Sequence, residues 1–297
     1  MTNVLSVDAV SRSFGDRQVL KDVSFEVGAG RMTGFVGANG AGKTTTMRIM
    51  LGVLAADSGE VRWQDRPLTR ELRQRFGYMP EERGLYPKMT VIDQIVYLGR
   101  LHGMTAAAAR TGTDALLERL GLTERATDPV EKLSLGNQQR VQIAAALVHD
   151  PEVLVLDEPF SGLDPLAVDV VVGVLRDRAA AGVPVLFSSH QLDVVERLCD
   201  DLVIIADGTI RAAGSRHRLR ADHALPRFRI EVDADAGWLR DQPGVTLVDL
   251  EGAEATFDLA PGTDHQEVLH AALARGRVLA FGPVSPSLTE IFREVNQ

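Results

Sequence analysis

The segment Gly37-Ala38-Asn39-Gly40-Ala41-Gly42-Lys43-Thr44 constrains the fold of this chain more than any other part of its sequence. It fits the pattern G-x-x-x-x-G-K-[ST], in which a glycine-rich turn connects a buried strand to a helix. The apolar run at 32–36 indicates that strand, and the residues from Lys43 to about Leu54 indicate the helix. Successive backbone N–H groups of such a turn, together with the helix N-terminus, suit a polyphosphate. The predicted nucleotide-binding residues here are Gly37, Ala38, Asn39, Gly40, Ala41, Gly42, Lys43, Thr44 and Thr45.

Four side chains in two segments are predicted to do the phosphate chemistry. Lys43 would neutralise the β- and γ-phosphates, and the Thr44 hydroxyl would bind Mg²⁺. The apolar run at 153–156 ends in Asp157 and Glu158. Asp157 is expected to hold the same Mg²⁺ through water, and Glu158 is expected to act as the general base that polarises the attacking water. The alternative is that the Glu158 carboxylate only positions water or caps the next turn.

The remaining patterns predict an α/β fold with a mainly parallel sheet. The runs at 153–156 and 183–187 are short, apolar and bounded by polar residues, as is typical of strands buried on both faces. Residues 201–206 predict a further strand, which enters a hairpin turn at Asp207-Gly208.

Two subdomains are predicted around this sheet. Strand-like runs at 4–10 and 19–27 predict an N-terminal antiparallel β subdomain. The helix-like sequence pattern over about 83–130 predicts an inserted helical subdomain, with its clearest helices at 105–110 and 113–120.

The chain after about Arg211 has a different pattern. It predicts the order β-α-β-β-α-β followed by a terminal helix, which is compatible with a small ferredoxin-like α+β domain. Its predicted strands are 228–232, 245–250, 254–259 and 278–281, and its predicted helices are 236–242, 264–275 and 287–295. We therefore divide the chain into a nucleotide-binding domain at 1–215, a linker at 216–225 and an accessory domain at 226–297.

Charge indicates what the accessory domain does not bind. Residues 226–297 contain six arginines, no lysine and twelve acidic residues. That balance argues against a nucleic-acid-binding appendage and favours a regulatory or dimerising domain. The basic segment 216–220 could touch anionic lipid headgroups, although a solvated linker is the preferred interpretation.

Composition predicts a cytoplasmic protein without a membrane span. The net charge is −9, which disfavours a surface that grips nucleic acid throughout. No stretch approaches the roughly 18 consecutive apolar residues that a transmembrane helix needs. The N-terminus lacks the pattern of a secretory signal, and the single cysteine, Cys199, suits a reducing compartment. Any membrane role is therefore expected to depend on a partner.

The segment Leu133-Ser134-Leu135-Gly136-Asn137-Gln138-Gln139-Arg140 resembles the signature motif of ABC transporter ATPases. The resemblance continues through 161–165, at the D-loop position, and 188–190, at the switch-histidine position. Phe14 matches the aromatic residue that stacks on adenine. These features cover residues 4 to about 215 in the order and spacing of the family.

The resemblance implies a mechanism that needs two ATPase subunits. Two such domains meet head to tail, and each signature helix faces the nucleotide held by the other subunit. Ser134 and the Gly136 N–H would then donate to the γ-phosphate in trans, with Asn137 and Asp164 also at the nucleotide. His190 would contact the γ-phosphate and the attacking water, although a lone histidine after a strand is more often structural.

Three residues depart from the family pattern. Leu135 and Asn137 replace residues of the usual LSGGQ sequence, which changes the fit expected where the subunits meet. Glu81 occupies the Q-loop position, where most relatives carry glutamine. A carboxylate there could bind Mg²⁺ more strongly than an amide and would add negative charge near the γ-phosphate. Glu81 is therefore a predicted catalytic and metal-binding residue.

A subgroup combines the segment at 81–87, Asn137-Gln138-Gln139 and the accessory domain. The chain is similar to the ATPase subunits of bacterial ABC-2-type exporters, including sodium-efflux and drug-efflux systems. That resemblance implies separate transmembrane permease subunits that dock on the helical insertion. It also implies a second ATPase subunit, expected to be a second copy, and a position at the cytoplasmic face of the membrane.

Two other functions remain open at this level. One is an ABC ATPase that acts as a conformational switch without transport, although a single cassette differs from the tandem found in the translation type. The other is a regulatory subunit that binds nucleotide without hydrolysing it. The intact Lys43, Asp157, Glu158 and His190 argue against that second alternative.

Overall fold

The glycine-rich loop follows a central strand of a mainly parallel sheet. The computed structural model describes residues 4–82, 84–223 and 226–295, which form two compact units, one ending at Arg216 and the next beginning at His217. The strands of the first unit are β1 (Leu5–Phe14), β2 (Arg17–Val27), β3 (Met32–Val36), β4 (Ser58–Trp63), β5 (Arg66–Pro67), β6 (Phe76–Met79), β7 (Val153–Leu156), β8 (Val185–Ser189), β9 (Asp201–Ala206) and β10 (Thr209–Ser215). Its helices are α1 (Lys43–Met50), α2 (Arg70–Arg73), α3 (Val91–Leu101), α4 (Ala106–Arg119), α5 (Leu135–Leu147), α6 (Pro165–Ala180) and α7 (Leu192–Leu198).

The main sheet explains why distant parts of the sequence converge. Its strand order within the described residues is β10-β9-β3-β8-β7-β6, and the pairs from β9 to β6 are parallel. The carboxyl ends of parallel strands meet at one edge, where ligands of α/β proteins bind. The segments that follow β3, β6, β7 and β8 therefore leave the sheet at the same edge. β10 pairs with β9 in the antiparallel direction after the turn at Asp207-Gly208, as predicted.

A second, antiparallel sheet forms the predicted N-terminal β subdomain. Its strand order is β2-β1-β4-β5. Its buried side chains share one core with β3 and α1, and Trp63, Phe35 and Met47 are among the largest members. This packing fixes α1, which begins at Lys43, against both sheets.

The helical insertion contains α3, α4 and two short 3-10 helices, Thr123–Arg125 and Val130–Lys132. The sequence predicted two helices at 105–110 and 113–120, but the structure has the single helix α4. Gly112 lies against Val148 in the middle of this helix, and packing there offsets the modest cost of a single glycine in a helix interior. Arg83, at the predicted start of the insertion, lies outside the described residues.

The second unit has the topology expected from its predicted order of elements. Helix α8 (Arg216–Asp222) begins at the unit boundary, and the later elements are β11 (Arg227–Val232), β12 (Val245–Glu251), β13 (Glu254–Leu259), α9 (His265–Leu273), β14 (Val278–Pro283) and α10 (Leu288–Val295). The strand order is β12-β13-β11-β14, with antiparallel neighbours. β13 therefore separates β11 from β12, which is the split β-α-β arrangement of ferredoxin-like domains.

One helix of this unit differs from the sequence prediction. Residues 236–242 were expected to form a helix between β11 and β12, and the structure has the 3-10 helix Ala236–Asp241. Gly237 disfavours an α-helix there, and Pro243 ends the segment.

The domain boundaries predicted from the sequence, 1–215, 216–225 and 226–297, stay a prediction. Helix α8 occupies most of the predicted linker. Met1, Thr2 and Asn3, Ala224 and Leu225, and Asn296 and Gln297 lie outside the described residues. Of the helices in the described ranges, none is sufficiently long and apolar to cross a lipid bilayer.

Candidate nucleotide-binding site

An open cavity of about 380 Å³ lies at the carboxyl edge of the main sheet. That volume is within the range of small-molecule sites. Its lining residues are Arg17, Val19, Asn39, Gly40, Gly42, Lys43, Thr44, Thr45, Glu81, Asp157 and Glu158. The structure thus brings together six of the nine predicted loop residues, the strand-end carboxylates and Glu81. The other three, Gly37, Ala38 and Ala41, do not line the cavity. Arg17 and Val19 of β2 also line the cavity, although no sequence pattern indicated them.

The glycine-rich loop places Lys43 at the floor of the cavity. Gly42 has φ of +114°, and a Cβ there would lie 2.6 Å from Leu20 Cδ2, so only glycine fits this position. Lys43 is 7% exposed, and its Nζ donates to the carbonyl oxygens of Gly37 at 2.7 Å and Ala38 at 3.3 Å. Burial lowers the Lys43 pKa, and the charges of Glu158, Asp157 and Glu81 act in the opposite direction. A nearly buried cation at the N-terminus of a helix suits a polyanion.

Asp157 carries an unpaired oxygen at the same site. Its side chain is 1% exposed, and Oδ1 accepts a hydrogen bond from Ser188 Oγ at 2.5 Å. Among the described residues, Oδ2 has no hydrogen-bond partner. An unsatisfied buried carboxylate oxygen is costly unless a cation or donor meets it. The Asp157 carboxylate and the Thr44 hydroxyl therefore fit a hard divalent cation such as Mg²⁺.

The described residues contain no cluster of three or more His, Cys, Asp or Glu side chains that would form a protein-only metal cage. Magnesium sites on nucleotides do not require one. They use one or two protein side chains, and the phosphates and waters supply the other ligands.

Glu158 is held in a strained backbone conformation beside His190. Its φ is +51°, which is uncommon for a residue other than glycine. Its N–H donates to Ser188 Oγ at 2.8 Å, and its carbonyl oxygen accepts from Gln139 Nε2 at 2.9 Å. Its Oε1 lies 2.9 Å from Nδ1 of His190, whose side chain is 53% exposed. The carboxylate is thus nearly buried and oriented, and the imidazole extends towards solvent.

Three polar residues that support this arrangement were not assigned a role from the sequence. Ser188 joins Asp157 to the backbone of Glu158, as described above. Gln139 and Gln142 of α5 are both buried, and Gln142 Nε2 donates to the carbonyl oxygens of Pro80 and Glu82. No sequence pattern distinguishes the two glutamines from the other polar residues of α5, because their burial depends on the fold.

The residues of the segment that resembles the signature motif do not line the cavity of their own chain. Ser134 caps the N-terminus of α5, and its Oγ accepts from the Asn137 N–H at 3.3 Å. The Asn137 side chain accepts a hydrogen bond from Arg140. Gly136 lies against the D-loop segment, because a Cβ there would come within 3.2 Å of the Gly162 carbonyl oxygen.

The predicted nucleotide contacts Phe14, Asp164 and His190 also lie outside the cavity lining. Asp164 caps the N-terminus of α6 by accepting from the Ala167 N–H at 2.8 Å. Phe14 is half-exposed at the end of β1, with the Arg12 guanidinium carbon 5.0 Å from its ring centroid. His190 reaches the site only through its contact with Glu158.

Two family models match the chain. The model described as ABC transporter matches residues 20–161. The model described as the C-terminal domain of DrrA1-3-like ATP-binding proteins matches residues 214–296.

Characterised and uncharacterised proteins align over nearly the whole chain. An uncharacterized ABC transporter ATP-binding protein of Bacillus subtilis, YhaQ, is 38% identical over 98% of each chain. The linearmycin resistance ATP-binding protein LnrL of the same organism is 34% identical over 97% of each chain. A solved structure described as the ATP-binding subunit of an ABC transporter is 32% identical, with a TM-score of 0.69 over 74% of this chain and 92% of that one.

Proposed function

The chain belongs to the ABC transporter family of ATP-binding proteins, and from that membership we propose that it is the ATP-hydrolysing subunit of an exporter. The observation that carries this proposal is the convergence of Lys43, Asp157 and Glu158 in one open cavity at the edge of the sheet. The similarity to LnrL, which is named as a linearmycin resistance protein, favours export over import. The transport itself is assigned to separate transmembrane permease subunits, which would hold this subunit at the cytoplasmic face of the membrane.

We infer that two subunits act together, because the cavity supplies phosphate-binding groups from one side only. The glycine-rich loop and Lys43 would bind one face of the triphosphate. Ser134 and the N-terminus of α5 are outside the cavity and would meet the other face in a second copy. Two helix N-termini would then converge on the γ-phosphate, so that ATP holds the subunits together more strongly than ADP.

Glu158 and His190 are assigned the chemical step. Glu158 would accept the proton of the attacking water, which its nearly buried carboxylate is oriented to do. His190 holds Glu158 through Nδ1 and would contact the γ-phosphate with the exposed part of its ring. Lys43 would stabilise the charge that develops on the transferred phosphoryl group.

Mg²⁺ would be held by Thr44, by the unpaired oxygen of Asp157 and by Glu81. When bound with ATP, the ion neutralises phosphate charge and orients the β- and γ-phosphates. Asp157 keeps its orientation through Ser188, and Glu81 keeps its place through the backbone contacts of its neighbours. Phe14 would stack on adenine, and Asn137 and Asp164 would complete the contact from the second subunit.

Replacing Glu81 with glutamine tests the assignment of its carboxylate. We expect Mg²⁺-free ATP to bind roughly threefold to tenfold more tightly, because one negative charge near the phosphates is removed. The Mg²⁺ concentration at half-maximal turnover should rise by a similar factor, because an amide is a weaker ligand. Titration calorimetry and an ATPase assay across Mg²⁺ concentrations measure the two effects. Glu82→Gln, an adjacent exposed carboxylate outside the cavity, is the matched control. Equal behaviour of the two variants would contradict the assignment.

The helical insertion carries an apolar groove suited to a permease. The groove is about 770 Å³ and is lined by Tyr86, Pro87, Lys88, Met89, Tyr97 and Glu131. Tyr86 and Tyr97 are 52% and 40% exposed, and their rings meet edge to face with centroids 5.9 Å apart. The buried Gln94 Oε1 holds the Tyr86 N–H at 2.7 Å. Exposed aromatic rings with polar tips are typical of binding surfaces, and we assign this groove to a helix of the permease.

An acidic residue in the groove should separate the subunit from its permease. We expect Tyr97→Asp to reduce copurification of the permease at least about tenfold, because it places an unpaired charge in an apolar contact. The ATPase activity of the isolated subunit should stay within about twofold of the wild type. The control is Leu101→Asp, an exposed apolar position on the same helix that does not line the groove. Undiminished copurification of Tyr97→Asp would place the permease contact elsewhere.

A further inference from the structure

Two buried glutamines connect helix α5 to the segments that carry Glu81 and Glu158. Gln139 is 3% exposed, and its Nε2 donates to the Glu158 carbonyl oxygen at 2.9 Å. Gln142 is 4% exposed, and its Nε2 donates to the carbonyl oxygens of Pro80 at 3.2 Å and Glu82 at 3.5 Å. The two bonds of Gln142 therefore bracket Glu81. Positions three apart share one face of a helix, so both segments are attached to the same face of α5.

These contacts are not explained by packing alone. Within the described residues, Gln142 Oε1 is buried without a hydrogen-bond partner. Such an oxygen costs stability, and a methionine of similar size would fill the position without that cost. The amide is useful here because its N–H₂ group holds a loop carbonyl. Gln139 likewise fixes the backbone of Glu158, whose φ of +51° needs support from its surroundings.

Helix α5 is a rigid connection between these segments and its own N-terminus. A helix rises about 1.5 Å per residue, so Gln139 and Gln142 lie roughly 8 Å and 12 Å along the axis from Ser134. Ser134 caps that N-terminus. A displacement of α5 at Ser134 would therefore be passed to the Glu158 and Glu81 segments through these two side chains.

We propose that Gln139 and Gln142 are positioning residues that make hydrolysis in one subunit depend on what α5 contacts in the other. The proposal rests on the proposed function, in which Ser134 meets the partner's ATP. Engagement of Ser134 sets the position of α5, and the two glutamines then set the Glu158 carboxylate and the Glu81 loop of the same chain. Each nucleotide site thus reports its occupancy to the opposite one through hydrogen bonds to backbone carbonyls.

The test replaces each glutamine with methionine in the full-length chain. We expect Gln139→Met and Gln142→Met each to lower kcat about fivefold to tenfold, on the scale of one lost hydrogen bond. The Hill coefficient for ATP should fall towards 1, while the affinity for ADP stays within about twofold. The control is Thr113→Val in helix α4. Thr113 is also buried, and its Oγ1 donates to the Ala109 carbonyl oxygen at 2.7 Å, but neither residue belongs to α5 or to a segment that carries a proposed catalytic residue.

A double-mutant cycle separates positioning from general stability. If Gln142 acts through the Glu81 loop, Gln142→Met should remove most of the effect of Glu81→Gln on the Mg²⁺ concentration at half-maximal turnover. Thr113→Val should leave that effect unchanged. If a methionine variant is unfolded at the assay temperature, Gln139→Asn and Gln142→Asn replace it, because asparagine keeps a buried amide that is too short to reach the carbonyl.

The outcomes distinguish this inference from the proposed function. Cooperative hydrolysis by the wild type, together with unchanged kinetics in the Gln139 and Gln142 variants, would overturn the inference alone. Equal losses in the two methionine variants and in Thr113→Val would also overturn it, because the glutamines would then be only structural. A wild-type chain that does not hydrolyse ATP, with or without its permease, would overturn the proposed function itself.

Discussion

Replacing Glu158 with glutamine should lower ATP turnover by at least about 100-fold while ATP binding persists. The substitution keeps the size and hydrogen-bonding shape of the side chain but removes the group that accepts the proton. His190 lies 2.9 Å from this carboxylate, so the amide can still be held in place. Because hydrolysis no longer reopens the pair, the variant should sediment as a dimer with ATP and as a monomer with ADP. Phosphate release and analytical ultracentrifugation measure the two effects.

Glu124→Gln is the matched control for this experiment. Glu124 is an exposed carboxylate in the helical insertion, remote in sequence from every residue that lines the cavity. It should hydrolyse ATP at the wild-type rate. Near-normal turnover in Glu158→Gln would assign the general base to another residue. Loss of turnover without an ATP-dependent dimer would retain the base but contradict the pairing of subunits.

The second large effect is expected from Lys43→Met, which should weaken ATP binding at least about 100-fold. Lys43 lines the cavity and is nearly buried. Arg17, another cationic side chain that lines the cavity, is exposed. Charge-assisted hydrogen bonds to phosphate are among the strongest that a protein makes. Methionine fills the same volume without a charge, so the fold should persist. Titration with a fluorescent ATP analogue measures affinity, and thermal unfolding monitors the fold.

Lys21→Met controls for the loss of a positive charge from the same unit. Lys21 is exposed on β2, and its N–H, rather than its side chain, bonds the Gly208 carbonyl oxygen. We expect its ATP affinity to match that of the wild type. An unaltered affinity in Lys43→Met would show that another group neutralises the phosphates.

The parts of the site that could be predicted from the sequence are those whose residue types are set by the local backbone and by neighbouring residues in the chain. The glycine-rich loop is defined by φ values and close contacts that only glycine tolerates, so its residue types are visible in the chain. Asp157 and Glu158 were also predictable, because a short apolar run ending in carboxylates marks the edge of a parallel sheet. Ser134 and Gly136 were assigned through family resemblance, and their place at the start of α5 agrees with that expectation.

The supporting contacts could not be predicted because they form between residues that are distant in the sequence. Ser188 meets Asp157 only after β7 and β8 pair in the sheet. In the sequence, Gln139 and Gln142 resemble the exposed polar residues of any helix, and only the folded chain shows that both are buried. The single helix α4 has a similar cause, because Gly112 packs against the distant Val148. The 3-10 helix at 236–241 differs, since the local Gly237 and Pro243 disfavour the α-helix that was expected there.

Hydrolysis is expected to require two chains that close around Mg·ATP. The specific ATPase activity of the wild-type chain, measured across a dilution series at saturating ATP, tests this requirement. We predict that activity per chain falls steeply as the concentration drops below the dissociation constant of the dimer. Activity per chain that stays constant on dilution, in a protein that sediments as a monomer throughout, would contradict it.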